Sequence, residues 1–361
     1  MFRVSGVLMF TCTMRAIDFY RKALPPARES LGQNHFLNVM LMGELAGTLA
    51  DDGRMAEAEV VIRDGLQTAF KIFPQGHPML LESLNGLASI VESRGEYAEA
   101  EALIRQSREI EKRWASTPPE YEHLGIVLLQ VNSGQYAEVL DLLSRHRLNP
   151  RDSLLAKFLL ANVVRRFDLA ESLLRHMLNN GEQYDSEPSD YSRTALELAI
   201  FINEHRQDDP EAMHLISKNW DPKTMSQLSP RYPERCFWHL VISKILIQHQ
   251  RYAEVASDVE RILEFLRTKS LPGNWFIGYA EYVAGQLRDA QGRDEEAEAL
   301  LLSGLANLRK SRGEVHSYTR EVAGALVKFY QQHDRAAEAV AFEPLLKMPE
   351  PIEIDLKLLE P

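Results

Sequence analysis

The chain has 361 residues, 45% of them hydrophobic, with 41 basic against 52 acidic side chains and a formal net charge of −11. The acidic excess is spread along the chain, which argues against a nucleic-acid surface and mildly favours a neutral or basic partner. The two cysteines, Cys12 and Cys236, are too few and too distant for a disulfide framework or a metal site, and no run reaches the ~18 apolar residues that span a bilayer.

In chain order, residues 11–24 predict one amphipathic helix, stopped by Pro25-Pro26. The opening MFRVSGVLMFTC has one arginine and a short apolar core, but no small-x-small cleavage site follows. Half of a first repeat is preferred to a secretory signal, and a cytoplasmic setting is expected. Residues 34–52 with 54–73, and 77–94 with 96–114, predict two helix pairs, followed by a break at Ser116-Thr117-Pro118-Pro119. Shorter units follow at 121–133 with 135–146 and at 151–164 with 168–180, separated by a turn at Asn149-Pro150. Residues 181–190 and 220–233 read as long connections around the pair 191–205 and 210–219, where Pro210 suits a helix start. Regular pairs return at 234–250 with 252–269, 272–291 with 294–312, and 315–333 with 335–347. The acidic, proline-punctuated tail 348–361 alternates from Ile352 to Leu356 and is expected to cap the last helix.

These pairs repeat. GEYAEAEALI from Gly95 is echoed by GRMAEAEVVI from Gly53 and GRDEEAEALL from Gly292. With Thr11, Gly134, Arg165, Gln207, Gln250 and Asp334 at the same place, the steps are 42, 42, 39, 31, 42, 43, 42 and 42 residues. One small position recurs in the second helix, at Ala16, Ala58, Ala100, Ala170, Ala212, Ala297 and Ala339, where a methyl allows close helix approach. Val139 and Val255 replace it and should shift the packing. Glycine at the turn allows a left-handed C-cap; Gln207, Gln250 and Asp334 should cap less well.

Gly76-His77-Pro78, Asn85, Leu87-Ala88 and Gly95-Glu96-Tyr97-Ala98-Glu99-Ala100 resemble tetratricopeptide repeats, in particular the long form of kinesin light chains and many bacterial proteins. Residues 279–346 resemble repeats that follow the kinase domain of some bacterial Ser/Thr protein kinases. The resemblance is good over about 34–112 and 236–346 and poor between, where Gln130, like Arg288 later, stands in place of the family's aromatic. Repeats of the HEAT or armadillo kind share the period but lack the G-x-Y-x-E-A phrase, and rank second. The resemblance implies an all-α, right-handed α-solenoid of antiparallel helix pairs. Its expected blocks are 1–115 and 234–347, joined by degenerate repeats at 116–233, with 348–361 as tail or cap.

No P-loop, kinase loop set, H-E-x-x-H, C-x-x-C or G-x-S-x-G occurs, so neither an enzyme nor a cofactor or metal is expected. His239 and His249 fall near opposite faces of one helix, and Cys236 beside His239 reads as core. Glu99 and Glu296 belong to the repeat. In such a solenoid the first helices line the concave surface, which places Asn85, Ser89 and Glu92, then Phe237, Leu240 and Lys244, then Tyr279, Tyr282 and Gln286, and finally Lys328 in a partner-binding groove. Asn85, Lys244 and Lys328 are too scattered for a carboxylate clamp; the aromatics suit apolar side chains of an extended peptide, or else the core between repeats. The expected function is a noncatalytic scaffold for a peptide or helix of a partner protein. The alternative is a regulatory module for a separately encoded Ser/Thr kinase, with a helical-repeat RNA binder third.

Overall fold

The computed structural model describes residues 3–114, 124–180, 188–206, 210–220, 233–347 and 354–360. The break expected at 116–119, the turn position Gln207 and most of the two long connections lie outside them.

Among the described residues all regular structure is helical: α1 (Arg3–Leu31), α2 (Phe36–Asp51), α3 (Met55–Ile72), α4 (Leu81–Glu92), α5 (Tyr97–Trp114), α6 (Leu124–Asn132), α7 (Tyr136–Ser144), α8 (Pro150–Val163) and α9 (Phe167–Asn179). After these come α10 (Pro188–His205), α11 (Pro210–Asn219), α12 (Pro233–Gln248), α13 (Ala256–Lys269), α14 (Trp275–Ala290), α15 (Asp294–Arg312), α16 (Ser317–Gln332) and the single turn α17 (Ala336–Ala339). Short turns join helices such as α2–α3, α4–α5 and α14–α15, which pack side by side as antiparallel pairs. The chain is therefore an all-α solenoid.

The repeat has a backbone cause. Every described turn position from Gly53 onward is left-handed, with φ of +78° at Gly53, +84° at Gly95, +79° at Gly134 and +70° at Gly292. Arg165, Gln250 and Asp334 adopt the same geometry at +60°, +60° and +57°. The next amide then closes back onto the carbonyl five residues earlier, as in Arg54 N to Leu49 O (2.8 Å), Arg251 N to Leu246 O (2.8 Å) and Arg335 N to Tyr330 O (2.8 Å). This reversal ends the first helix and fixes where the second begins. In four of the units the start of the first helix is capped at one register as well. His35, His77 and His316 each accept an N–H at Nδ1, and Asn274 does so at Oδ1; each stands 18 residues before the turn of its own unit. The small positions Ala58, Ala100, Ala170, Ala212, Ala297 and Ala339 are buried, whereas Ala16 is only half-buried. At Val255 the packing does shift: Tyr252–Glu254 forms a 3-10 turn and the α-helix starts only at Ala256.

Three expectations are corrected. Helix α1 does not stop at Pro25-Pro26 but continues to Leu31, because buried Ile17 and the ion pairs Arg21–Glu57 and Arg28–Asp64 (2.7 Å) anchor it on α3 across the two missing N–H groups. Pro150 does not turn the chain; it is the first residue of α8, capped by Asn149 Oδ1 on Asp152 N at 2.9 Å. The tail does not cap the last helix. Leu359 is fully buried in the core of the middle repeats with Ile354 beside it, and Lys157 Nζ donates to Glu360 O at 2.5 Å.

In a plain repeat stack each unit packs only on its neighbours. Instead the N-terminal block meets the C-terminal one. Trp275 N donates to Ser93 O at 3.1 Å, Leu271 joins the core of α2–α5, and a Cβ on Gly95 would overlap the Ser311 carbonyl oxygen.

Replacing Gln250 or Asp334 with Gly should raise stability by about 0.5–1 kcal/mol, because an L side chain in left-handed geometry is strained. Gly292→Ala should cost about 1 kcal/mol, and Gly95→Ala clearly more, since it adds the collision with Ser311. Urea denaturation of the four variants checks the order. His316 is a second handle: burial, then Arg312 and Arg320, push its imidazole down to about 3. The unfolded chain therefore takes up its proton first, so this stability is complete above about pH 6.5 and fades as pH falls toward 3. His316→Asn keeps the cap without titrating, and should lose about 1–2 kcal/mol less than wild type between pH 7 and 4.5 in urea titrations.

Candidate partner-binding face

The first helices α10, α12, α14 and α16 come together on the inner side of the C-terminal half. Lys244 on α12 donates to Glu321 on α16 at 2.6 Å and to Glu204 on α10 at 3.4 Å, while Tyr282 OH on α14 donates to Glu321 at 3.2 Å. Four helices are thus tied through one ammonium group whose side chain is 4% exposed. Burial opposes the charge on Lys244, but Glu321 and Glu204 outweigh it and hold its pKa above the ordinary lysine value. Glu204 and Glu321 keep 46% and 26% of their side-chain exposure, so the network opens to solvent on the carboxylate side. Next to it Asn203 Nδ2 donates to Gln248 Oε1 and Asn203 Oδ1 meets His249 Nε2, each at 3.1 Å.

Beside this network lies an aromatic cluster. Trp275 stacks on Tyr318 at 5.2 Å and 13°, and Phe237 meets Trp275, Tyr279 and Tyr318 at 5.1, 5.1 and 5.5 Å. Burial raises the phenol pKa of Tyr279, Tyr282 and Tyr318, so all three remain neutral donors.

Of the groove residues read from the sequence, Asn85, Ser89 and Lys328 are exposed, and Glu92, Phe237 and Gln286 are half-buried. Leu240, Lys244, Tyr279 and Tyr282 are buried: for the two tyrosines this is the core alternative, and for Leu240 and Lys244 it corrects the expectation of an open groove position. The reason is the narrowness of the inner face: α16 reaches back two units to α12, and Glu321 and Tyr318 close over what a wide groove would expose. Of the C-terminal members, Phe237, Tyr279 and Tyr282 meet ring to ring, and Lys244 shares Glu321 with Tyr282. Ser89 and Glu92 lie elsewhere, lining a cleft of about 230 Å³ between α4 and the α13–α14 connection, together with Lys269, Trp275 and Arg312.

Trp275, Tyr318, Glu204 and Arg312 escaped the sequence reading. Their repeat positions carry no phrase, and their neighbours come from helices dozens to hundreds of residues away. A charge ladder also went unread. The glutamate following the small residue reaches the next unit's turn, as Glu59–Arg94 (2.7 Å), Glu171–Arg206 (2.5 Å) and Glu298–Arg335 (2.6 Å). Burial opposes the charge on Glu59, but hydrogen bonds from Arg94 and Arg63 hold its carboxyl below the usual range. One group has metal-ligand spacing among the described residues: Asp289, Asp294 and His333. Asp289 takes one ring nitrogen at 3.0 Å and Asp294 the other at 3.4 Å, the pattern of a contact between units. Cys236 and His239 are both buried, as their core reading required. No described helix is long and apolar enough to cross a membrane.

Comparison with known proteins finds the same repeat in the sequence. The family profile described as tetratricopeptide repeat matches residues 80–113, which cover α4 and most of α5. Tetratricopeptide repeat protein 19, mitochondrial, of Homo sapiens is 32% identical over 93 residues, 26% of this chain; the chain spans about a quarter (24%) of that relative's length. Among solved structures, a Rap protein complexed with competence and sporulation factor aligns over 74% of this chain and 76% of its own, at 15% identity and a TM-score of 0.48. Residues 80–113 thus match a tetratricopeptide repeat, and the chain is similar over a quarter of its length to a tetratricopeptide repeat protein.

Lys244→Met should strand Glu321 and Glu204 without their cation. Because both carboxylates keep some water, the expected loss is about 1–3 kcal/mol, below the cost of breaking a fully buried pair. Thermal or urea unfolding measures it, and Lys244→Arg should recover part of the loss.

Proposed function

We propose that the chain is a noncatalytic interaction scaffold that holds an extended peptide or a helix of a partner protein along its inner helices. The observation that carries this reading is the network on Lys244. A polar cluster shared by four successive inner helices is costly to bury and unnecessary for packing, yet it presents two half-open carboxylates beside an aromatic wall. Glu204 and Glu321 offer acceptors to backbone amides or a basic side chain, and exposed Asn85 on α4 and Lys328 on α16 offer further polar contacts. Because the network and the ring stacking hold this face in one arrangement, a partner bears most of the ordering cost alone.

Selection of displayed peptides of about 12 residues on the purified protein tests this. A common motif should emerge. Asn85→Ala or Lys328→Ala should weaken the selected peptide about fivefold, roughly 1 kcal/mol, without changing the melting temperature, because both side chains are exposed. Selection that enriches no motif, or turnover by the purified chain, overturns the reading. Co-purification of a Ser/Thr protein kinase with its substrates would instead favour a regulatory module.

A further inference from the structure

The cleft between the two halves of the chain is unlike the rest of the inner face. Arg312, the last residue of α15, is sandwiched between the rings of Trp275 at 4.4 Å and Tyr97 at 5.4 Å, and its Nη1 donates to the Tyr97 hydroxyl. Its Nε is buried with no hydrogen-bond partner. Among the described residues, no ion pair forms within 4 Å of Arg312 or of Lys269, the second cation lining the cleft. Most arginines nearby are paired, as Arg94 is with Glu59 and Arg267 with Glu281 at 2.7 Å. One carboxyl, Glu92, lines the cleft as well; burial, only partly offset by Arg312, holds it above the usual carboxylate range. The remaining walls are largely apolar, including Ile90, Leu266, Leu271 and Phe276. Two cations without an ion pair and an orphaned buried donor, enclosed by aliphatic and aromatic groups and sharing one buried carboxyl, suit an acceptor that brings negative charge and an apolar body together.

We infer that this cleft binds a carboxylate side chain of a partner peptide, flanked by an apolar residue, with Arg312 and Lys269 pairing the carboxylate. The inference rests on the scaffold reading and names the partner's chemistry at one place. A volume of about 230 Å³ holds one or two residues. A peptide is the fitting source because Ser89 and Glu92, inner positions of α4, line the cleft, so a chain lying along the inner face runs into it. One negative charge suits the site better than two, since Glu92 already shares it with the cations. The overall charge of −11 does not forbid this: long-range repulsion is screened over about 10 Å in salt, whereas pairing inside the cleft is not. A bound carboxylate would also join α4 to α13–α15, tightening the contact between the halves.

The test uses the full chain with labelled tryptophan indoles. Trp275 is one of four tryptophans and is assigned by Trp275→Phe. Titrated with the capped peptide acetyl-Leu-Glu-Leu-amide, the Trp275 indole resonance should shift at up to about 10 mM, as expected for so small a ligand. The shift should need about fivefold more acetyl-Leu-Gln-Leu-amide, and about fivefold more of the Glu peptide in Lys269→Gln, a variant that leaves the Arg312 sandwich in place. A Trp275 signal unmoved by the Glu peptide, or moved equally by the Gln peptide, overturns the inference. If selected peptides still bind in that case, the scaffold reading stands and only the cleft assignment falls. If none binds, the scaffold reading falls with it.

Discussion

One left-handed residue per unit is the constraint on which the architecture depends. Once the backbone at Gly53, Gly95, Gly134 or Gly292 turns to positive φ, the first helix ends and the second sets off from it. Arg165, Gln250 and Asp334 show that the fold imposes this geometry even where the side chain resists it. Each unit then needs a capped start, supplied by histidine or asparagine, and a small residue where the helices press together. Where these conditions recur, the stack assembles from local rules, and stability is shared among neighbouring units.

Charge organises what packing leaves open. The glutamates of the E-A phrase are structural: Glu57, Glu254, Glu296 and Glu338 pair with the arginine three residues before them, at the start of the second helix. The glutamate after the small residue, as at Glu59 and Glu298, reaches into the next unit. These pairs are mostly exposed and individually weak, so they specify spacing more than they stabilise. Lys244 differs. It is buried, it joins helices two units apart, and it shows how tightly the inner face curves in the C-terminal half.

The return of the chain on itself gives the molecule its second distinctive surface. Ser93, Gly95 and Tyr97 belong to one turn, and Trp275, Ser311 and Arg312 belong to units some two hundred residues away. Gly95 therefore serves two ends, a left-handed turn and a close backbone approach, and a glycine satisfies both. A ring sandwich around a guanidinium suits such a junction, because it holds the two halves through polarisable contacts and leaves the cation able to take a further acceptor.

By itself the sequence determined the helical class, the repeat period, the turn positions and the small positions. Each of these is a local requirement, and local requirements leave fixed spacings that can be read along a chain. The N-cap set His35, His77, Asn274 and His316 was legible in principle as well, since it keeps the same register. What only the tertiary structure decided depends on the angle between successive units, which accumulates small rotations that no residue encodes alone. That angle buried Leu240, Tyr279 and Tyr282 where a wider curve would have exposed them. It brought Glu321 onto Lys244, closed α4 against Trp275 and Arg312, and sent Leu359 to the middle repeats rather than the last helix.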